Sequence, residues 1–336
     1  MNALNVPFKE KEVDASRQSA VISGSEIGQP MLCALSSDIQ NLFNRYKDAV
    51  VKVIGIQKGS GDREKLLFGT GFFCSQDGYI LTAAMITTEA EDLWVEFHGL
   101  SYAATVIGKD PVTSIAVIKL LENPVQFTPI LLPEKSHLRQ NSEGSIVISL
   151  GCAFAMEPSP TLGLITGKNI VFGDRVFAIT YLRSSIGIYG GESGAPVFGD
   201  NGDLCGILVA SIPELRSSFI LPGNALARIF RDIVDQKNVK YCTAGFSVRG
   251  KMSESGRKEV VISEIDTKKI RYQGSEILQI GDVVAVLDAQ KIVNESDIAD
   301  ILFFKKPNDT LNLQVIRDKK TVTITIILDE KIYCGN

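Results

Sequence analysis

Histidine is nearly absent from this sequence: His98 and His137 are the only two in 336 residues. With so few, and with no His/Cys cluster, the chain offers no recognisable metal site, and nothing in it asks for a cofactor. Basic excess is absent too. Lys and Arg number 35 against 39 Asp and Glu, a net charge of −4. That balance, with no polybasic run, argues against nucleic acid or an anionic membrane surface as partner. No apolar stretch approaches the length of a membrane span. The first ten residues, Met1 to Glu10, hold no apolar signal core. The sequence leaves the compartment unassigned, favouring the cytoplasm, with an envelope or organelle space open if a leader has been removed. The six cysteines, Cys33, Cys74, Cys152, Cys205, Cys242 and Cys334, form no CxxC pair. Cys74, Cys152 and Cys205 lie beside apolar runs and read as buried free thiols.

What is present suits globular domains with sizeable cores: 45% hydrophobic and 22% charged residues, in a length that allows two domains. Residues 1–36 are mixed polar and read as a tail. Apolar residues at 39, 42, 43 and 46 have helical spacing, with Ser37 as a candidate N-cap. Short β-rich segments follow: 49–56, 66–74, 79–84, 93–97, 102–107 and 115–120. A second set covers 145–150, 162–171, 176–181, 195–198 and 204–210. Gly and Asp punctuate them closely, which signals all-β barrels rather than βαβ units. Two groups fit two antiparallel barrels with a cleft between them. A strand at 217–222 and a helix at 225–234, with Asn224 as N-cap, complete a domain over 37–234. Residues 235–242 read as a polar linker. The last part, 243–330, alternates strand patterns with an amphipathic helix over 294–303, N-capped by Asn294, and reads as α+β.

The stretch with chemical content is Gly190-Gly191-Glu192-Ser193-Gly194-Ala195-Pro196. Its glycines permit a sharp turn that lifts Ser193 out of the backbone. A serine there is placed for attack on a carbonyl, with the N–H groups of Gly191 and Ser193 aimed at the developing oxyanion. This loop resembles the nucleophile loop of trypsin-like serine proteases. Gly69-Thr70-Gly71-Phe72-Phe73 and Asp77 to Ala84 resemble the segment leading to their catalytic histidine. Gly108-Lys109-Asp110-Pro111 and Ile115 to Leu120 resemble the segment carrying their catalytic aspartate. With the C-terminal part, whose Leu278 to Leu287 is similar to a PDZ signature, the chain resembles the HtrA (Deg, Do-like) family over roughly residues 37 to 330. The fold implied is a chymotrypsin-like double β-barrel followed by a PDZ-like α+β domain.

The resemblance breaks at the triad. Met85 stands where the family has histidine, and Ser114 where it has aspartate; only Ser193 remains. A thioether has no nitrogen to take a proton, so Met85 cannot serve as general base. His98 falls in a turn and His137 in a polar inter-barrel connection, both away from the family's base position. The segment 183–190 looks longer than its counterpart, so a misshapen pocket and oxyanion hole are expected, with Ile188 and Tyr189 as candidates to fill the pocket. In the last domain, Ala244-Gly245-Phe246 matches the loop that holds a peptide's C-terminal carboxylate. The expectation is a pseudoprotease that binds peptides or proteins, C-terminal tails among them, or scaffolds them in a chaperone-like way. The alternative is an active endopeptidase with an atypical base. The resemblance also leaves a homo-oligomer open.

Overall fold

The computed structural model describes residues 24–58, 64–122, 126–133, 142–172, 175–187, 189–212, 216–253 and 256–331. The chain falls into two compact units, Met1–Asn41 and Leu42–Asn336. A first helix, α1, runs over Gly24–Tyr46 and contains Pro30. The expected tail therefore turns helical well before residue 36. Met31, Leu32 and Leu35 continue the apolar spacing upstream, a signal that Pro30 obscures at sequence level.

The first barrel closes in the order β1-β2-β3-β6-β5-β4. Its strands are β1 Val50–Lys58, β2 Glu64–Phe73, β3 Tyr79–Ala83, β4 Asp92–Phe97, β5 Leu100–Asp110 and β6 Ile115–Leu120. Between β3 and β4 lies one helical turn, α2, Ala84–Thr87. Val51 and Val53 point inward while Lys52 and Ile54 point out, the period of two that puts one face of each strand in the core. Phe73, Ile80, Val95 and Ile118 fill the same interior. Each such residue contributes about 1.5–3 kcal/mol by leaving water.

The second barrel closes as β10-β11-β12-β9-β8-β7. It comprises β7 Ile146–Gly151, β8 Ser159–Phe172, β9 Arg175–Ser184, β10 Pro196–Gly199, β11 Leu204–Ile212 and β12 Ser217–Pro222. Val147, Ile165, Leu182, Val197, Leu208 and Ile220 are its core. Helix α3, Gly223–Gln236, follows, but Asn224 is not its cap. The N-cap is Pro222, and Asn224 is buried inside the helix with its Oδ1 unpartnered. Gly223 lets the helix start against Pro133, whose ring would lie 2.7 Å from a Cβ there.

The expected linker also differs. Lys237 ends α3 in a left-handed conformation, and Tyr241–Thr243 form β13, paired with β21, Asp329–Lys331. Tyr241 and Cys242 are buried. The cause is Tyr241, whose hydroxyl donates to the buried Asp110 Oδ2 at 2.6 Å while Arg228 lies over its ring at 5.1 Å. The C-terminal sheet runs β14-β15-β17-β19-β20-β16, with β18 beside β17. These are β14 Phe246–Met252, β15 Lys258–Ile265, β16 Arg271–Tyr272, β17 Val283–Leu287, β18 Gln290–Lys291, β19 Thr310–Arg317 and β20 Lys320–Ile327. Helix α4 spans Glu295–Phe303. Here the expected cap holds: Asn294 is the N-cap, and Asp297 accepts its N–H at 2.8 Å. In the turn before β17, Asp282 takes both nitrogens of an Arg317 fork, at 2.8 and 2.7 Å.

Candidate functional site

The positions of the three family residues lie close together because glycines and backbone bonds bring their segments together. Met85 sits on α2 and is 60% exposed. Ser114 closes the turn before β6 with φ +61°, and its carbonyl accepts the Ala84 N–H at 2.8 Å. Gly194 has φ +93°. A Cβ there would lie 2.1 Å from the Thr70 carbonyl oxygen and 2.9 Å from Ala83 N. A Cβ on Gly69 would overlap Ile86 and lie 3.3 Å from the Ser193 carbonyl. Positions 83–86, 114 and 193–194 are thus neighbours at the junction of the barrels.

Thr70 is the clamp of the Ser193 loop. Its N–H donates to the Ser193 carbonyl at 3.0 Å and its hydroxyl to the Gly191 carbonyl at 2.7 Å. The Cys152 N–H donates in turn to the Thr70 hydroxyl at 2.9 Å. Glu192 N–H donates to Tyr189 O, Gly194 N–H to Leu208 O, and Phe154 N–H to Gly190 O. Among the described residues these bonds leave the N–H groups of Gly191 and Ser193 without an acceptor. Glu192 holds the loop from within. Its side chain is 1% exposed, packs on Gly151, and accepts the Tyr189 N–H at Oε2 at 2.6 Å. Burial raises the pKa of this carboxyl, the Tyr189 amide opposing, and no charged partner contributes.

The hydroxyl of Ser193 has no hydrogen-bond partner among the described residues, and no described basic side chain reaches it. His98 lies in the β4–β5 turn and pairs with Asp48 at 3.0 Å. His137 lies outside the described residues. Asp110, four residues before Ser114, is 1% exposed but turned to Thr113 and Tyr241. Tyr189 does not fill a pocket: it is 60% exposed, with its ring 6.1 Å from that of Phe154. Ile188 is outside the described residues. The buried apolar side chain among the described residues of this segment is instead Ile186, fitted against Gly163. Sequence reading missed Thr70 and Glu192, although both lie inside the motifs that it singled out.

The thiols near the site are quiet. Burial pushes Cys152 and Cys205 up to about 12, so neither is a thiolate at neutral pH. Cys33 is exposed, and Cys334 lies outside the described residues.

In the C-terminal domain, Gly245 has φ +71° and its carbonyl accepts the Asp266 N–H at 2.8 Å. A Cβ there would lie 2.7 Å from Ile270 N. Ala244 is buried, and Phe246 packs against the core of this domain. Helix α4 also meets the second barrel, where Asp300 Oδ1 accepts the Thr180 N–H at 2.7 Å. No helix among the described residues is long and apolar enough to cross a membrane.

Comparison with known proteins matches these two regions separately. The profile of the trypsin-like peptidase domain matches residues 69–207, and that of the PDZ domain residues 245–328. The serine endoprotease DegS of Haemophilus influenzae is 25% identical over 313 residues, covering 88% of this chain and 89% of DegS. A protein named as a DegP-like periplasmic serine endoprotease, from Pseudomonas fulva, is 25% identical over 92% of this chain. This chain spans 65% of that relative's length. Among solved structures, the HtrA-type protease AlgW with a tripeptide superposes with TM-score 0.70 at 19% identity, covering 88% of this chain and 98% of AlgW. The serine endoprotease of Yersinia pestis superposes with TM-score 0.59, also at 19% identity. These superpositions establish the fold: a double β-barrel followed by a PDZ domain.

Proposed function

Because this chain belongs to the HtrA/Deg family of trypsin-like serine proteases that carry a PDZ domain, we propose that it is a member which binds peptides or proteins without hydrolysing them. The observation that carries the proposal is the exposed Met85 at the position of the base, together with a Ser193 hydroxyl that has no hydrogen-bond partner among the described residues. Serine attacks a carbonyl only when a neighbouring base takes its proton. A thioether cannot do so, and Ser114 offers no carboxylate to orient a base. Loss of triad members leaves roughly 10³–10⁴-fold catalysis over water, negligible against the barrier to peptide hydrolysis. In this reading Ser193, Met85, Ser114 and Gly191 mark a vacated catalytic centre, within a protease-like domain over 37–234.

Peptide binding is assigned to the domain over 243–330. Ala244, Gly245 and Phe246 receive the terminal carboxylate, and the edge of β14 that pairs with no described strand receives the peptide strand. The HtrA-type protease AlgW, solved with a tripeptide, supports a peptide ligand by likeness of fold. Two measurements test the reading. Purified protein treated with a fluorophosphonate should show no labelling of Ser193 above background, while stoichiometric labelling abolished by Ser193→Ala would establish an active enzyme. A C-terminal peptide library should bind the full chain, with free carboxylates preferred over amides.

A further inference from the structure

The PDZ edge strand β14 pairs with β15 on one side and with no described strand on the other. Such an edge presents alternate N–H and C=O groups to an added strand. Phe246 and Val248 turn their side chains to the core. Gly250, two residues on, breaks this apolar series. A Cβ there would lie 2.6 Å from Glu295 Oε1 and 2.8 Å from Lys258 Cε. The space a side chain would occupy is taken by the carboxylate of the first residue of α4. Lys258 Nζ, from β15, grips that carboxylate at 2.7 Å. The Lys258 bond, helped by backbone amides at Glu295 and Gly250, holds Glu295 below the usual carboxylate range.

A peptide added to β14 runs along it with side chains alternating between faces. With its carboxylate at the Gly245 loop, its α4-facing side chains meet Phe246, then Val248, then Gly250. At Gly250 the way is blocked by the Lys258–Glu295 pair, which spans from β15 to α4. We propose that Glu295, tied down by Lys258, plugs the upstream end of the groove, so that the groove reads roughly the last four residues of a peptide and gains nothing from a longer one. The proposal rests on the peptide-binding reading above and adds a length limit to it.

The test uses the full chain and pairs of peptides, tetrapeptides and decapeptides sharing their last four residues and a free carboxylate. In the wild-type protein the two lengths should bind within about twofold of each other. Glu295→Ala should tighten the decapeptide about fivefold or more and leave the tetrapeptide unchanged, since each added ladder bond is worth a few-fold in affinity. Glu295→Gln, which keeps the bulk and loses the ion pair, should give a smaller gain. Asn294 and Asp297 still cap α4 in both variants, and circular dichroism checks the fold. A decapeptide that already binds much more tightly to wild type, or a Glu295→Ala variant with unchanged length dependence, overturns the plug and leaves peptide binding standing. If no peptide of either length binds either protein, the peptide reading falls and the plug with it.

Discussion

Asp300 of the PDZ helix α4 accepts the backbone N–H of Thr180 in β9 at 2.7 Å, so a side chain of one domain satisfies a barrel amide of the other. The carboxyl is largely withdrawn from water, and burial raises its pKa above the usual 3.8 despite the Thr180 bond. A second tie lies at the linker. Arg228 of α3 pairs with Asp232, donates to the Lys240 carbonyl at 2.6 Å, and lies over Phe303 of α4 at 4.8 Å. The domains thus meet through particular partners.

Asp300 gives a pH prediction with a definite sign. A raised folded pKa means that the folded state holds the proton more tightly than the unfolded state. Its contribution is then most favourable below the unfolded value and falls as pH rises through the folded value. Asp300→Asn mimics the protonated form and keeps an acceptor for Thr180. The stability of wild type relative to Asp300→Asn should therefore decline from about pH 4 upward and then level off. Urea unfolding at several pH values measures this. A difference that grows with pH would reverse the assignment. Glu295, on the same helix, has the opposite sign: its lowered pKa makes its contribution present at neutral pH and lost on acidification.

The Ser193 loop should tolerate loss of its hydroxyl and not of its glycine. Ser193→Ala removes a group with no partner among the described residues, so stability should stay within about 0.5 kcal/mol. Gly194→Val puts a branched side chain at φ +93° and a Cβ 2.1 Å from the Thr70 carbonyl. A cost of about 3 kcal/mol or more is expected in denaturant unfolding, or a failure to fold.

Tyr241→Phe should cost about 1–3 kcal/mol, because it takes one donor from the buried Asp110 carboxyl. The bonds to Asp110 from Thr113 remain, so the variant should still fold. Thermal unfolding is the measurement. A change near zero would mean that the hydroxyl bond is replaced by water.

Rebuilding the triad tests how much of the site survives. Met85→His with Ser114→Asp places a base and an orienting acid on segments already joined by the Ala84–Ser114 bond. Among the described residues no acceptor takes the two N–H groups of the loop, which leaves them for an oxyanion. Fluorophosphonate labelling of Ser193 should rise by at least about a hundredfold over wild type, the lower range of general-base effects. Labelling that stays at background would show that the loop does not hold a competent geometry.

The barrels and the PDZ sheet are legible in the sequence because glycine turns and alternating Val, Ile and Leu carry their own signal. Val51 and Val53 face inward as their period requires. The places where the family has His and Asp are legible because Leu81-Thr82-Ala83-Ala84 and Ile115-Ala116-Val117 lead up to Met85 and follow Ser114. What stays hidden are polar residues whose role depends on a distant partner. Glu192 sits in a glycine-rich turn, and nothing local shows that Gly151 leaves room for it inside. Tyr241 reads as linker because its partners, Asp110 and Arg228, come from two other elements. Asn224 reads as a helix cap, but α3 starts a residue earlier, with Pro222 as N-cap and Asn224 buried inside it.

The pairing of β13 with β21 has a mechanical consequence. Tyr241 lies opposite Lys331 and Thr243 opposite Asp329, so the chain enters and leaves the PDZ domain along one short antiparallel ladder. A force drawing these two ends apart peels that ladder one pair at a time from its open end, the weak direction for a sheet, before it loads the core strands. The domain is therefore suited to circular permutation through its own closed seam.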